Sequence, residues 1–476
     1  MTTSVRRVII IGAGAAGLAA ARRLREHGII PIVLEARDRV GGRVHSVPFP
    51  DKGCMLNLGA SIVHGAEGNP LTAAIEAAPD ISMIPFASNV VIPRPGAPPM
   101  SVDDSNRFIE AEAEALESLR PPANPKQGGD SIADLIHPAL AQVAAKYGIE
   151  AELMRCNIDA IVSQYADDLD KVSSRQLFDV GEFEGGDYMV LGGIWGALHA
   201  FAGDAVVSSV RLNHEVTHIT HSGADVRVRT RQHGELSADA VLVTVPLGVL
   251  KAGDIAFEPP LSTRRQQAIA RQGFGVLDLA LLEFSEVFWP AEADYLVTLR
   301  PSDVTDPAVL NDLLPRDAVP FVSYTTVMDR PLMLCFLNAG LGVQLEECTD
   351  EEVAGLFERH LKRYFPHASS TRPVRCRISR WLKDPYAHGS FSYFSVGGDG
   401  LGNISALAAP CLVAGGASSD ISSPIQADQD HPSNAPALFW AGEHTHELYY
   451  ATVPGAMLSG QRAADEILAH FGQLPL

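Results

Sequence analysis

Gly12, Gly14 and Gly17, with Glu35 eighteen residues beyond the last of them, are a set whose chemistry is the holding of a diphosphate and a ribose. At the first glycine a chain can turn tightly, at the second a pyrophosphate can approach the backbone, and at the third a helix can pack closely on a strand. Ala15 and Ala16, between the second and third glycines, belong to the same cofactor-binding loop. A carboxylate at Glu35 accepts hydrogen bonds from an adenosine ribose and repels a 2′-phosphate, which argues against NADP. Ala36, Arg37 and then Val40-Gly41-Gly42-Arg43 form a second clamp, in which the glycines admit a ligand to the backbone and Arg43 neutralises a buried diphosphate.

Such residues need a strand, a helix and a second strand to hold them in register. Val8–Ile11 is a β-branched run that stops at glycine, as a strand buried on both faces of a parallel sheet does. Leu18, Ala21 and Leu24 stripe a helix that Gly28 caps. The N-terminus of that helix offers unpaired N–H groups and partial positive charge to the phosphates. Residues 31–34 supply the second strand.

At 476 residues, 46% hydrophobic and 20% charged, the chain exceeds one compact core and implies two domains. Its formal charge of −20, from 57 acidic and 37 basic residues, disfavours nucleic acid and anionic membranes and draws cationic substrates. There is no apolar run of bilayer length, no basic-plus-apolar leader and no peroxisomal tripeptide at the end, so the expected location is cytoplasmic. Cys54, Cys156, Cys335, Cys348, Cys376 and Cys411 are scattered without CxxC spacing, which reads as reduced thiols and no metal.

Residues 35–43, the segment Trp381 to Tyr393, and the closing runs Leu438 to Thr445 and Tyr449 to Gly460 together resemble the flavin-containing amine oxidase family. The likeness is nearest to its polyamine oxidase and lysine-specific histone demethylase branch, and the monoamine oxidases belong to the same superfamily. It implies an α/β fold: a Rossmann-like FAD-binding domain built from residues 1–75, 190–280 and 405–476, with an inserted α+β substrate-binding domain from 76–189 and 281–404. It also implies that Gly59, Ala60 and Ser61 face the flavin, that Val216 lies against the adenine, and that Gly442, Glu443, Thr452 and Val453 hold the ribityl and pyrimidine end. Trp381 is then placed by the ring, or is a core tryptophan. Tyr449 and Tyr450 give an aromatic wall, and His64 and Glu67 stand near the substrate, His64 having a structural hydrogen-bonding role as its alternative. Tyr188, with Glu182, Glu184 and Asp187, either faces the cavity or decorates a turn, and the turn is favoured. Serine at 390, where monoamine oxidases carry a flavin-binding cysteine nearby, implies non-covalent FAD.

Two departures from the family stand out. Ile62 and Val63 occupy the region where relatives carry a tryptophan, and Leu279 occupies the place of a lysine that holds a water near flavin N5. The activity implied is hydride transfer from the carbon beside nitrogen to flavin N5, giving an imine or iminium, with O2 as acceptor and peroxide formed. The partners are a small-molecule amine or amide and O2, and a homodimer is left open. Leu279 supports an alternative in which the iminium escapes hydrolysis and is trapped within the substrate, as in biosynthetic amine or amide oxidation. A redox-silent FAD-bound interaction protein and a carbon–carbon desaturase are the readings from other classes.

The remaining segments read as a helical cover over residues 85–150, a further helix at 151–161, and a strand at 209–219. Alternating strands follow at 225–231 and 240–245. Strands at 321–336 and 374–381 flank a helix at 351–364, and an irregular surface excursion covers 401–433.

Overall fold

The computed structural model describes residues 6–474 apart from 51–54, 79, 86–88, 94–101, 119–130, 152–153, 156–165, 223–224, 300–313, 315–317, 415–416 and 421–436. Val8–Ile11 lies inside a six-stranded sheet ordered Ile32–Leu34, Val8–Ile11, Ala240–Val243, Ala437–Trp440, Cys411–Ala414, Ala417–Asp420. The first four strands are parallel and the last two antiparallel. Val8 and Ile10 pack under the helices Ala15–Glu26 and Val453–His470, while Ile9 and Ile11 meet Val216, Ile219, Val226 and Val228 on the other face. Burial on both faces is why the strand reads as an unbroken apolar run. The two helices touch closely because position 460 is glycine: a Cβ there would stand 2.1 Å from the Ala16 carbonyl oxygen.

A second six-stranded sheet is ordered Arg375–Ile378, Leu277–Glu283, Leu332–Asn338, Ala318–Ser323, Tyr295–Leu299, Val90–Val91, antiparallel except for its last pair. Leu279 and Leu281 join one core on this sheet and Ala280 and Leu282 the opposite one, where Val353, Phe357 and Leu361 of the helix Asp350–Tyr364 cover it. A capping box between Thr349 and Glu352 starts that helix. The helices Val102–Ser118 and Ile132–Tyr147 build a third apolar cluster with Val297 and Leu299, consistent with the expected helical cover.

Several expectations need correction. Residues 209–213 are turns broken by an isolated parallel bridge of Arg211 to Leu34, with Asn213 at φ 58°, and the strand begins only at Val216. Ala240–Val243 is buried at all four positions instead of alternating, because it lies in the middle of the parallel sheet. An unforeseen strand, Gly234–Ala238, pairs with Val226–Thr230. The supposed surface excursion contains a helix, Leu401–Ala408, that buries Asn403, Ile404, Ala406 and Leu407, and a hairpin that completes the first sheet. Residues 421–433 of that stretch, and most of 151–161, lie outside the described residues. Among the described residues no helix is long and apolar enough to cross a membrane.

Candidate active site

Ile11, Val243 and Trp440 stand in one row of the parallel sheet, so the chain ends three strands together at Gly12, Thr244 and Ala441. A cavity of ≈ 960 Å³ opens along this edge and continues to Leu277, Leu279 and Phe336 of the antiparallel sheet. Binding at the carboxyl ends of parallel strands is the general habit of such sheets.

The glycines divide by what they face. A Cβ on Gly17 would lie 2.0 Å from the Gly12 carbonyl oxygen, whereas one on Gly14 would meet no protein atom within 4 Å, although Gly14 lines the cavity. Packing therefore demands glycine at 17 but not at 14, where only an occupant of the cavity would. Ala15, Ala16, Ala36, Gly42 and Val216 line the same end, and Gly17 lies beneath it. Glu35 is 5% exposed, and its two oxygens accept the Ala13 and Arg37 N–H groups at 2.8 and 2.9 Å. Burial raises its carboxyl above the usual range, opposed by those two N–H groups. It thus shapes the loop as well as facing the cavity. Arg37 lines the wall with Nη1 2.6 Å from Asp384 Oδ2.

Arg43, expected to neutralise a diphosphate, also has partners within the protein. Its Nη1 donates to Glu443 Oε1 at 2.9 Å and to the Ser390 carbonyl at 2.7 Å. The guanidinium keeps further N–H groups for a ligand. Burial pushes the Glu443 carboxyl up, but Arg43, His444 and the Ser392 hydroxyl at 2.6 Å together hold it below the usual range. The Ser390 hydroxyl donates to the Leu277 carbonyl at 2.8 Å. Gly59, Ala60, Ser61, Gly442, Thr452 and Val453 line this end, and the Thr452 hydroxyl caps the terminal helix by accepting the Gly455 N–H at 3.0 Å. Trp381, 5% exposed, also lines it, and its indole N–H donates to the Leu58 carbonyl at 3.2 Å.

Beside Glu443, His444 is 2% exposed and burial pushes its pKa down to about 4. An unfolded histidine takes its proton near 6.5, so the unfolded chain binds more protons throughout the interval between those values. The stability that neutral His444 contributes is present above this window and is lost as pH falls through it, about 3 kcal/mol in all. Urea unfolding across that window should show the decline, and His444→Gln should flatten it.

At the far end His64 Nδ1 lies 2.9 Å from Asp187 Oδ2, while Asp187 Oδ1 accepts the Gly65 N–H at 3.2 Å. Burial alone would raise the Asp187 carboxyl, yet the His64 contact and the Gly65 N–H bring it below the usual range. A histidine whose Nδ1–H points at a carboxylate presents Nε2 as an acceptor. Tyr449 stacks on Phe183 with ring centroids 4.0 Å apart, and Tyr450, fully buried, stacks on Phe394. Both tyrosines line the cavity, as does Leu279.

Two expected site residues are not in that wall. Glu67 is exposed and its backbone bridges Glu184, and Tyr188 is half-buried against the core under the parallel sheet. Asp187 and Glu182, assigned to a turn, line the cavity instead. Strand alternation separates the two neighbours, since Asp187 pairs with His64 and Tyr188 must face the other way. Phe183 and Phe336 carried no motif, and only the fold brings them here.

A family model described as flavin containing amine oxidoreductase matches residues 15–468. The chain belongs to this family. Polyamine oxidase 4 of Oryza sativa subsp. japonica is 28% identical over 477 residues, covering 96% of this chain and 88% of that protein. Lysine-specific histone demethylase 1 homolog 2 of Arabidopsis thaliana is 31% identical, covering 97% of this chain and 58% of that protein. Lysine-specific histone demethylase 2 of Homo sapiens is 29% identical over 98% of this chain. The chain spans only 53% of that human protein. A solved putrescine oxidase, redesigned in its cofactor binding, matches 98% of this chain and 99% of its own with a TM-score of 0.68 at 21% identity, a likeness of fold.

This flavin amine oxidoreductase is thus an FAD-dependent enzyme acting on C–N bonds, with a Rossmann-like FAD domain and a substrate domain. The residues present fit FAD. Gly14 leaves room that no side chain claims, Glu35 and Arg43 both line the cavity, and a capped helix N-terminus lines the same space.

Proposed function

We propose that the enzyme oxidises a small-molecule amine at the carbon beside nitrogen, using non-covalent FAD, and that O2 is the final acceptor. When bound, FAD supplies the hydride acceptor. The chain's own residues hold the substrate between Trp381, Leu279 and the Phe183–Tyr449 stack. His64, oriented by Asp187, is placed to take the proton of an arriving ammonium, so that nitrogen presents its lone pair. Glu182 and Asp187 give that end of the cavity negative charge, which favours a cation. Ser390, bonded to the Leu277 backbone, leaves FAD held by contacts alone.

The observation that carries the reading is one cavity joining Gly12 and Glu35 to His64 and Tyr449. Leu279 refines it. The side chain is 3% exposed and apolar, so it neither donates to nor accepts from a water beside the reacting carbon. An iminium formed there is slow to hydrolyse, which favours capture by a nucleophile within the substrate. Product analysis under air, with peroxide measured alongside, tests this: a cyclised product supports trapping and a free carbonyl compound alone refutes it. Leu279→Lys should shift the products toward the carbonyl, by roughly tenfold or more if the ammonium recruits a water.

A further inference from the structure

Asp278 sits in the strand between Leu277 and Leu279, which line the cavity, and therefore points to the opposite side of the sheet. It is fully buried. Its Oδ1 accepts the Ser379 hydroxyl at 2.8 Å and the Trp381 backbone N–H at 3.0 Å. Ser379 in turn accepts the Leu279 N–H at 2.8 Å. Oδ2 has no hydrogen-bond donor among the described residues, and the carboxyl of Glu346 is the neighbouring side chain that acts on Asp278. Glu346 is 3% exposed, at the end of the helix Ala339–Glu346, and its two oxygens accept the Leu382 and Lys383 N–H groups, both at 2.8 Å.

Two buried carboxylates cannot meet with both ionised, and neither can donate unless one carries a proton. We propose that Asp278 and Glu346 share a single proton, and that this pair acts as positioning residues for the cavity wall at Trp381. With the proton in place, the backbone N–H groups of Trp381, Leu382 and Lys383 are all held by the pair, and the indole is fixed against Leu58. Without it, two buried like charges push apart on the segment that carries the wall. Burial first, and then Glu346, raises the Asp278 carboxyl well above the usual range.

Charged groups on the packed segments are engaged elsewhere. Arg380 bonds Asp350 and the Cys348 carbonyl, and Lys383 pairs with Glu347. Arg377 acts on His45, whose ring meets Trp381 edge-on at 6.4 Å. His45 is pushed down to about 4, chiefly by burial, so it titrates far below any alkaline loss of the shared proton.

The test uses the holoenzyme and its Asp278→Asn, Glu346→Gln and Asp278→Ala variants. Infrared spectra at neutral pH should show the carbonyl stretch of a buried protonated carboxylic acid in the wild type. Either amide variant should lose that band, because an amide N–H replaces the shared proton permanently. Near-ultraviolet circular dichroism followed into alkali should then show tryptophan asymmetry falling in the wild type. It should hold in the amide variants and be diminished at every pH in Asp278→Ala. Glu346→Gln provides the same comparison should Asp278→Asn not fold. The proposal is overturned if the wild type lacks the acid band, if both amide variants keep it, or if they show the wild-type alkaline loss.

Discussion

Gly17→Ala is expected to yield a protein without bound flavin and less stable by about 3 kcal/mol, at the upper end of what overpacking costs. The new methyl would stand 2.0 Å from the Gly12 carbonyl oxygen and 3.1 Å from Thr244 Oγ1. A backbone carbonyl cannot swing aside as a side chain can, so the helix must lift from the turn that it closes. Gly14→Ala separates the two reasons for glycine. It meets no protein atom, so stability should hold within about 0.5 kcal/mol while flavin retention falls. The visible spectrum of each purified variant and its urea midpoint check both statements. A fully yellow Gly17→Ala protein would contradict them.

Glu443→Ala is the second large effect. It removes the partner of Arg43 and of the Ser392 hydroxyl in a place where Glu443 is 5% exposed. Breaking a buried pair by deleting one member costs about 3–5 kcal/mol, and since the Arg43 side chain keeps 22% exposure, a value near 3 is expected. Glu443→Gln keeps a hydrogen-bonding oxygen and should lose roughly half as much. Because the Glu443 carboxyl lies below its usual range, its contribution is present above the unfolded carboxylate pKa and lost as pH falls through the folded one. The wild-type advantage over Glu443→Gln should therefore shrink in acid.

The dinucleotide end was the most legible part of the sequence, because each requirement there is local. Gly12, Gly17, Val8–Ile11 and Glu35 are fixed by a turn, a contact and a doubly buried strand within one short stretch. The helix Asp350–Tyr364 was equally plain from its amphipathic pattern, read as 351–364. What failed depended on distant partners. Leu401–Ala408 and its hairpin looked like loop because small residues dominate, yet small residues are what let that helix press against its neighbours. Asp187 and Tyr188 were given one reading, as turn, because only the pairing of Asp187 with His64 sets which face each takes. Arg43 was read for its charge alone, since Glu443 stands 400 positions away. Asp278 gave no signal beside Leu279, and only the turn of Trp381 to Lys383 against Glu346 makes it a buried acid pair.

The central claim is that the cavity joining Gly12 and Glu35 to His64, Leu279 and Tyr449 is where an amine meets the flavin. Anaerobic stopped-flow absorbance of the holoenzyme tests it most directly, with polyamines, aromatic amines, amino acids and bulky or N-acylated amines mixed in turn before air is admitted. The account predicts that at least one of these classes bleaches the flavin band, that His64→Ala slows the bleaching, and that air restores the colour with peroxide formed. Unchanged flavin absorbance with every class, or bleaching as fast in His64→Ala as in the wild type, would contradict it.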